Sequence, residues 1–201
     1  MIRVLVAEDM RILREALVGL LELEDDIEVV AELETGDAIV ETALRHRPDV
    51  AILDIELPGL DGLTAAARLR ELLPSCRTLI LTGVGRPGHL RRAGGANVAG
   101  FMLKDSPLRQ LIEALHKVAA GERVIDPQLA YAALDMPASP LSEREADVLR
   151  LTASGSEPRE IAAELSLSYG TVRNYLASAV TKLDARNRVD AIRMATEAGW
   201  L

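Results

Sequence analysis

Aromatic residues are nearly missing from this chain, with one Phe, three Tyr and one Trp in 201 residues. That scarcity excludes a nucleic-acid binder built on stacking bases against aromatic side chains. There is one cysteine, Cys76. A single thiol makes neither an intramolecular disulfide nor a Cys-based zinc site. With Ser75 and Arg77 beside it, just ahead of an apolar run, it reads as a reduced, inert side chain. No stretch approaches the ~18 consecutive apolar residues of a membrane span, and the amino terminus turns acidic at Glu8-Asp9, too early for a signal peptide. The expectation is a cytoplasmic protein without membrane contact. A basic excess is missing too: 23 Lys and Arg stand against 31 Asp and Glu, a net charge of −8. Taken whole, that charge opposes binding to DNA.

What is present is a globular composition, 49% apolar and 27% charged, in a length that suits two small domains. Five runs rich in aliphatic and β-branched residues occupy the first half: Ile2–Ala7, Ile27–Leu33, Val50–Ile55, Thr78–Thr82 and Gly100–Leu103. Their near-continuous apolarity predicts strands buried on both faces. Helical patterns lie between them, such as Ile12, Ala16, Leu20 and Leu23. Strand and helix alternating in this way predict a doubly wound α/β parallel sheet. The last helix of this half is expected to start at Ser106-Pro107 and to end at Ala120-Gly121. The predicted division is residues 1–120, a Pro-containing linker at 121–139, and a second domain at 140–201. Beyond Leu141 only helical signals remain, at Glu143–Ser154, Pro158–Leu165, Tyr169–Leu183 and Arg188–Ala198. Ser142 and Glu145 form a capping box at the first. This is an all-α four-helix domain with helix-turn-helix spacing at its centre.

In an open parallel sheet, ligands bind beyond the carboxyl ends of the strands. The residues expected there are Glu8 and Asp9, Asp54, Thr82 and Lys104. Three carboxylates in one crevice require a cation, and hard oxygen donors suit Mg²⁺. Lys104 and the Thr82 hydroxyl facing the same point make a site for a phosphoryl group. Glu8-Asp9, the stretch Leu53-Asp54-Ile55-Glu56-Leu57-Pro58-Gly59-Leu60-Asp61-Gly62, Thr82-Gly83 and Lys104-Asp105 resemble the receiver domain of two-component response regulators over about the first 120 residues. The resemblance implies a five-stranded sheet of order 2-1-3-4-5. It also implies that Asp54 is the phosphoacceptor for a sensor histidine kinase, and that Glu8, Asp9, Asp54 and the Glu56 carbonyl hold Mg²⁺. Thr82 and Lys104 would bind the phosphoryl oxygens, and Phe101 would be the aromatic switch that turns inward on phosphorylation.

Other readings are weaker. Gly83-Val84-Gly85-Arg86-Pro87-Gly88 matches G-x-G-x-x-G but follows the fourth strand rather than the first. Asp54-Ile55-Glu56 is an acid-x-acid strand end, as an aspartyl-phosphate phosphatase would have, yet Pro58 follows at once and the main acid pair comes from strand one. A flavin site would suffer repulsion between Glu8-Asp9 and the cofactor phosphate. His46, His89 and His116 have no metal-ligand spacing. Gly83, Gly85, Gly88, Gly94 and Gly95 make the helix between strands four and five costly, and it is expected to be mobile or partly unwound.

On a 3.6-residue wheel, Tyr169–Leu183 turns Val172, Leu176, Ala179, Val180 and Leu183 to one side. Arg173, Asn174, Ala177, Ser178 and Thr181 fall on the other, the polar and small surface that a helix needs to enter the major groove. The stretch Leu141–Leu149, Glu160-Ile161-Ala162, Thr171-Val172-Arg173 and Lys182-Leu183 resemble the LuxR-type helix-turn-helix. The whole chain is thereby similar to the NarL/FixJ family. That resemblance implies base contacts from Arg173 and Asn174, and phosphate contacts from Ser168, Thr171, Tyr175 and Lys182. It implies further a double-stranded DNA operator, a homodimer on phosphorylation, and no enzymatic turnover. Pro158 stands where the family usually has Asn, which removes one phosphate donor. Leu23–Asp26, Gly170–Tyr175 and Gly199-Trp200 also resemble DesR-type regulators of membrane-lipid desaturase genes. The charge distribution agrees: residues 1–56 carry 15 acids against 5 bases, whereas 165–193 carry five bases against Asp184 and Asp190.

Overall fold

The structure is a computed structural model that describes all residues except 84–88, 90, 91, 94, 95, 97 and 135–137, and the backbone alone of 132–134. The chain forms two compact units, the first reaching Leu134 and the second built from the residues beyond it.

The first unit holds a parallel sheet of β1 (Ile2–Ala7), β2 (Ile27–Leu33), β3 (Val50–Asp54), β4 (Arg77–Thr82), β5 (Gly100–Leu103) and β6 (Val124–Ile125), in the order β2-β1-β3-β4-β5-β6. The five expected strands are all present. The sixth is a two-residue edge strand that pairs Gly100 with Val124 and Phe101 with Ile125. It is too short to leave an apolar signature of its own. Every residue of β3 is buried, as the continuous apolar run predicts for a strand covered on both faces.

Successive side chains of a strand point to opposite faces, and the two cores follow that alternation. Leu5, Ala51, Leu53, Ile80 and Phe101 pack with helices α2 (Ile39–His46) and α3 (Gly62–Leu72). Val4, Val6, Ile52, Leu79 and Met102 pack on the other side with α1 (Arg11–Leu21) and α4 (Leu108–Ala120). The helix expected to start at Ser106-Pro107 starts instead at Leu108, with Pro107 at the cap position and no side-chain cap. The Ser106 hydroxyl is turned away to the Asp126 carboxylate, 3.1 Å off. Gly121 ends α4 at φ 99°, the left-handed conformation that glycine adopts without steric cost. A further helix, α5 (Pro127–Leu134), follows β6; its Leu129 is buried in the cluster of α2 and α3. The expectation of a mobile helix between β4 and β5 falls mostly on residues outside the described set, as does the G-x-G-x-x-G motif from Val84 onward.

His116, on α4, is bound at both ring nitrogens by acceptors: Nδ1 to Ile112 O at 2.8 Å and Nε2 to Asp26 Oδ2 at 2.9 Å. A neutral imidazole has one N–H, so only the imidazolium satisfies both. The hydrogen bond to Asp26, with the Ile112 carbonyl beside it, raises the His116 pKa above its ordinary 6.5. A folded-state pKa above the unfolded one stabilises the fold below pH 6.5 and loses that contribution as pH rises through the folded value. NMR titration of the ring is expected to place His116 above 6.5 and Asp26→Asn to bring it down. A ring titrating at 6.5 in the unmutated chain would contradict the charged assignment.

The second unit consists of α6 (Glu143–Ala153), α7 (Pro158–Glu164), α8 (Tyr169–Lys182) and α9 (Arg188–Glu197), each within a residue of its expected span. Ser142 caps α6 in the expected box with Glu145, Ser168 caps α8 through Thr171 N, and Asn187 caps α9. The turn from α7 to α8 passes through Ser166 at φ 55°. Val148, Leu149, Ile161, Val172, Leu176, Ala179, Leu183 and Ala191 close a single core.

Candidate functional site

The chain winds outward from β1 in both directions, with β2 on one side and β3 on the other, and the crevice opens where those directions diverge. Glu8, Asp9 and Asp54 meet there, each offering one carboxylate oxygen within 4.8 Å of the others. Asp9 is exposed, whereas Glu8 and Asp54 are buried. Lys104 comes from the end of β5: its Nζ lies 2.7 Å from Glu8 Oε2 and 3.0 Å from Asp54 Oδ2. Burial pushes the Glu8 carboxyl pKa up and Asp54 adds to the rise, with the Lys104 ammonium working against both. Burial lowers the Lys104 pKa, but the two carboxylates outweigh it and the ammonium is held above its usual range. One cation thus faces three acids, and the excess of hard oxygen donors is what a divalent ion would satisfy.

Thr82 is buried at the end of β4, and Glu56 is exposed just beyond β3. Phe101, on β5, is buried, 2% exposed, within the core of α2 and α3.

The loops around Asp54 explain the glycines that follow it. A Cβ at Gly62 would overlap the Asp54 carbonyl oxygen, and Gly59 sits at φ 79° against the Asp37 carboxylate. Asp61 caps α3 through Leu63 N and Thr64 N and takes an ion pair from Arg92 at 2.6 Å. Arg14 was not anticipated: from the first turn of α1 it donates to the Glu8 carbonyl at 2.6 Å, behind the acidic pair. An isolated Arg on a helix carries no sequence signal that would single it out.

In the helical unit, Val172, Leu176, Ala179 and Leu183 of α8 are buried, while Arg173, Asn174, Ala177 and Thr181 are exposed. Ser168 is exposed and its hydroxyl lies 2.8 Å from that of Thr171. Tyr175 is partly buried against the core. Ser178 and Lys182 are not free on the outer surface. Both reach the buried Glu145 carboxylate, at 2.6 and 2.7 Å, which also accepts Ser142 N at 2.7 Å. Burial opposes ionisation of Glu145, but Lys182, Ser178 and Ser142 together bring its pKa down to about 2. Glu145 was legible as half of a capping box; its second role depends on the α6–α8 packing and was not.

An acidic crevice with a lysine at the switch point of a parallel α/β sheet, followed by a four-helix unit with a helix-turn-helix, is the architecture of a response regulator with a DNA-binding domain. Residues 4–116 match the response regulator receiver domain family, and residues 139–195 match the bacterial regulatory proteins of the luxR family. The chain belongs to the NarL/FixJ family of two-component response regulators. It is 45% identical to the transcriptional regulatory protein DesR of Bacillus subtilis, over 100% of this chain and 99% of that protein. Its identity to the response regulator RamR of Streptomyces coelicolor is 43%, over 100% and 98%. Among solved structures it is similar to the two-component response regulator RcsB in complex with DNA (27% identity, TM-score 0.67, 98% of both chains). With a receiver domain and a luxR-family regulatory domain, and a transcriptional regulatory protein among its relatives, this chain is a transcription regulator rather than an enzyme. Among the described residues, no helix is long and apolar enough to cross a membrane.

Proposed function

We propose that Asp54 accepts a phosphoryl group from the phosphohistidine of a sensor histidine kinase, and that the phosphorylated chain pairs with a second copy and binds a double-stranded DNA operator in the cytoplasm. The observation that carries this reading is Lys104 Nζ, 3.0 Å from Asp54 Oδ2 at the meeting point of three carboxylates. A carboxylate oxygen of Asp54 bonds to phosphorus as the P–N bond to the kinase imidazole breaks, and the released imidazole takes up a proton. Lys104 and the Thr82 hydroxyl bind the transferred oxygens. Glu8, Asp9, Asp54 and the Glu56 carbonyl would hold Mg²⁺, which when bound offsets charge on the phosphoryl group. Thr82 moves to meet the phosphoryl group, and Phe101 is the aromatic switch that turns into the space it leaves.

Pairing two receivers tethers two recognition helices, so the second engages its half-site at high effective concentration. Analytical ultracentrifugation in Mg²⁺ with beryllofluoride is expected to show a dimer and without it a monomer. An unchanged sedimentation profile would overturn the phosphorylation-driven pairing.

Arg173 and Asn174 face base edges in this reading. Ser168, Thr171 and Tyr175 meet phosphates, and Lys182 does so from its bridge to Glu145. Arg173→Ala is expected to weaken specific binding by about 1–3 kcal/mol, that of one bidentate base contact, and to relax preference at a single position of the site. A footprint of unaltered affinity and sequence preference would remove Arg173 from recognition. From the DesR-type resemblance we infer that the regulated genes include those of membrane-lipid desaturation. Genome-wide footprinting of the phosphorylated chain tests this, with a desaturase promoter among the occupied sites as the expected result and its absence as the contrary one.

A further inference from the structure

Residues 124–134 lie beyond the segment matched to the receiver family, 4–116, yet they grip the strand that carries Lys104. Val124 N donates to Ala99 O and Asp126 N to Phe101 O, both at 2.9 Å. The Asp126 side chain then joins two segments. Its Oδ2 accepts the Ser106 hydroxyl at 3.1 Å, two residues after Lys104, and its Oδ1 accepts Gln128 N at 2.8 Å in the first turn of α5. Asp126 is 8% exposed, and Leu129 of α5 is buried in the same core as Phe101.

A buried carboxylate that loses a donor bears the desolvation cost of the orphaned oxygen. Moving the residues after Lys104 without α5, or α5 without them, would orphan one oxygen of Asp126. Lys104 in turn is held by Glu8 and Asp54, so a phosphoryl group on Asp54 changes what its ammonium meets. We propose that Asp126 is a positioning residue that couples the Lys104–Ser106 segment to α5, so that the shift of Lys104 on phosphorylation passes into the chain leading to the DNA-binding unit. This rests on the reading of Asp54 as phosphoacceptor.

The test uses the full chain, acetyl phosphate with Mg²⁺, and a DNA duplex selected from a random pool by the phosphorylated wild type. Two quantities are read for each variant: phosphoryl content, and the ratio of DNA affinities with and without phosphorylation. Ser106→Ala removes the tie across the two segments and leaves the Asp126 cap on α5 in place. It is expected to take up phosphate like the wild type while losing roughly fivefold or more of the affinity gain, the lower range of allosteric coupling. Ser106→Thr keeps a hydroxyl and restores the gain, which a merely structural defect would not allow. Asp126→Asn reports independently and is expected to lose the gain as well. A Ser106→Ala chain with equal phosphate and an undiminished gain overturns the coupling. A wild-type chain that takes up no phosphate instead overturns the Asp54 reading and the coupling with it.

Discussion

Asp54→Asn is expected to abolish acyl-phosphate formation altogether. The amide keeps the shape of the side chain and can still accept Ile55 N, which donates to Asp54 Oδ1 at 2.7 Å, so the β3 end stays in place. What disappears is the nucleophile, because a neutral amide oxygen does not displace imidazole from phosphorus at a useful rate. Lys104 also loses one of its two anionic partners but keeps Glu8 at 2.7 Å, so it remains in the crevice. The measurement is hydroxylamine-labile phosphate incorporated from acetyl phosphate, or from an autophosphorylated kinase, in Mg²⁺. None is expected above background, and beryllofluoride should no longer drive pairing. Incorporation at the wild-type level would move the phosphoacceptor elsewhere. Among the described residues, the structure brings together one carboxylate cluster of metal-binding geometry.

Glu145→Ala is expected to have the largest effect in the helical unit. Its carboxylate is buried with Lys182 at 2.7 Å and two serine hydroxyls. Removing it returns the Lys182 ammonium, already 41% exposed, to solvent, but leaves the Ser142 and Ser178 hydroxyls and the Ser142 N–H without their acceptor. Leaving buried donors unpaired costs about 1–3 kcal/mol, a large share of the stability of a small helical domain. Lys182→Met should cost less, because the remaining partners still satisfy part of the carboxylate. The same cluster sets a pH dependence. Glu145 has a folded pKa of about 2 against an ordinary 4.5. A depressed carboxylate contributes its full stability above pH 4.5 and loses it progressively as pH falls toward 2. Circular dichroism of thermal unfolding is expected to show the helical transition weakening over that window in the wild type. In Glu145→Ala the transition should be low from the start and lack this component of acid sensitivity. An equal loss on acidification in both proteins would show that Glu145 does not carry it.

Much of the fold was legible because its signals are local. The apolar runs of β1, β3, β4 and β5 are nearly continuous, whereas β2 at the sheet edge exposes Glu28 and Glu32, and the cap Ser142 is a short polar residue ahead of a periodic stretch. The acidic crevice was legible because topology sends every strand end of a parallel sheet to the same side, so Glu8, Asp9, Asp54 and Lys104 converge without any knowledge of the packing. What escaped the sequence depends on distance in the chain. Arg14 reaches a carbonyl rather than a partner with a recognisable pattern. The Glu145–Lys182 pair spans 37 residues and forms only when α6 lies on α8. β6 has two residues, too few for a periodicity, and Asp126 acts through Ser106, whose side chain would otherwise read as a helix cap.

The overall charge is a poor guide to partners for the same reason. The acids concentrate in residues 1–56, the segment that holds Glu8, Asp9 and Asp54, and residues 165–193 keep a small local excess of bases.

The most direct test measures phosphoryl content and DNA affinity on one preparation of the full chain. The protein is titrated onto its selected duplex before and after acetyl phosphate with Mg²⁺, alongside Asp54→Asn treated identically. Tighter binding is expected in step with phosphate on Asp54, and no change in the variant. Equal affinity in all four samples, with phosphate present on the wild type, would contradict it.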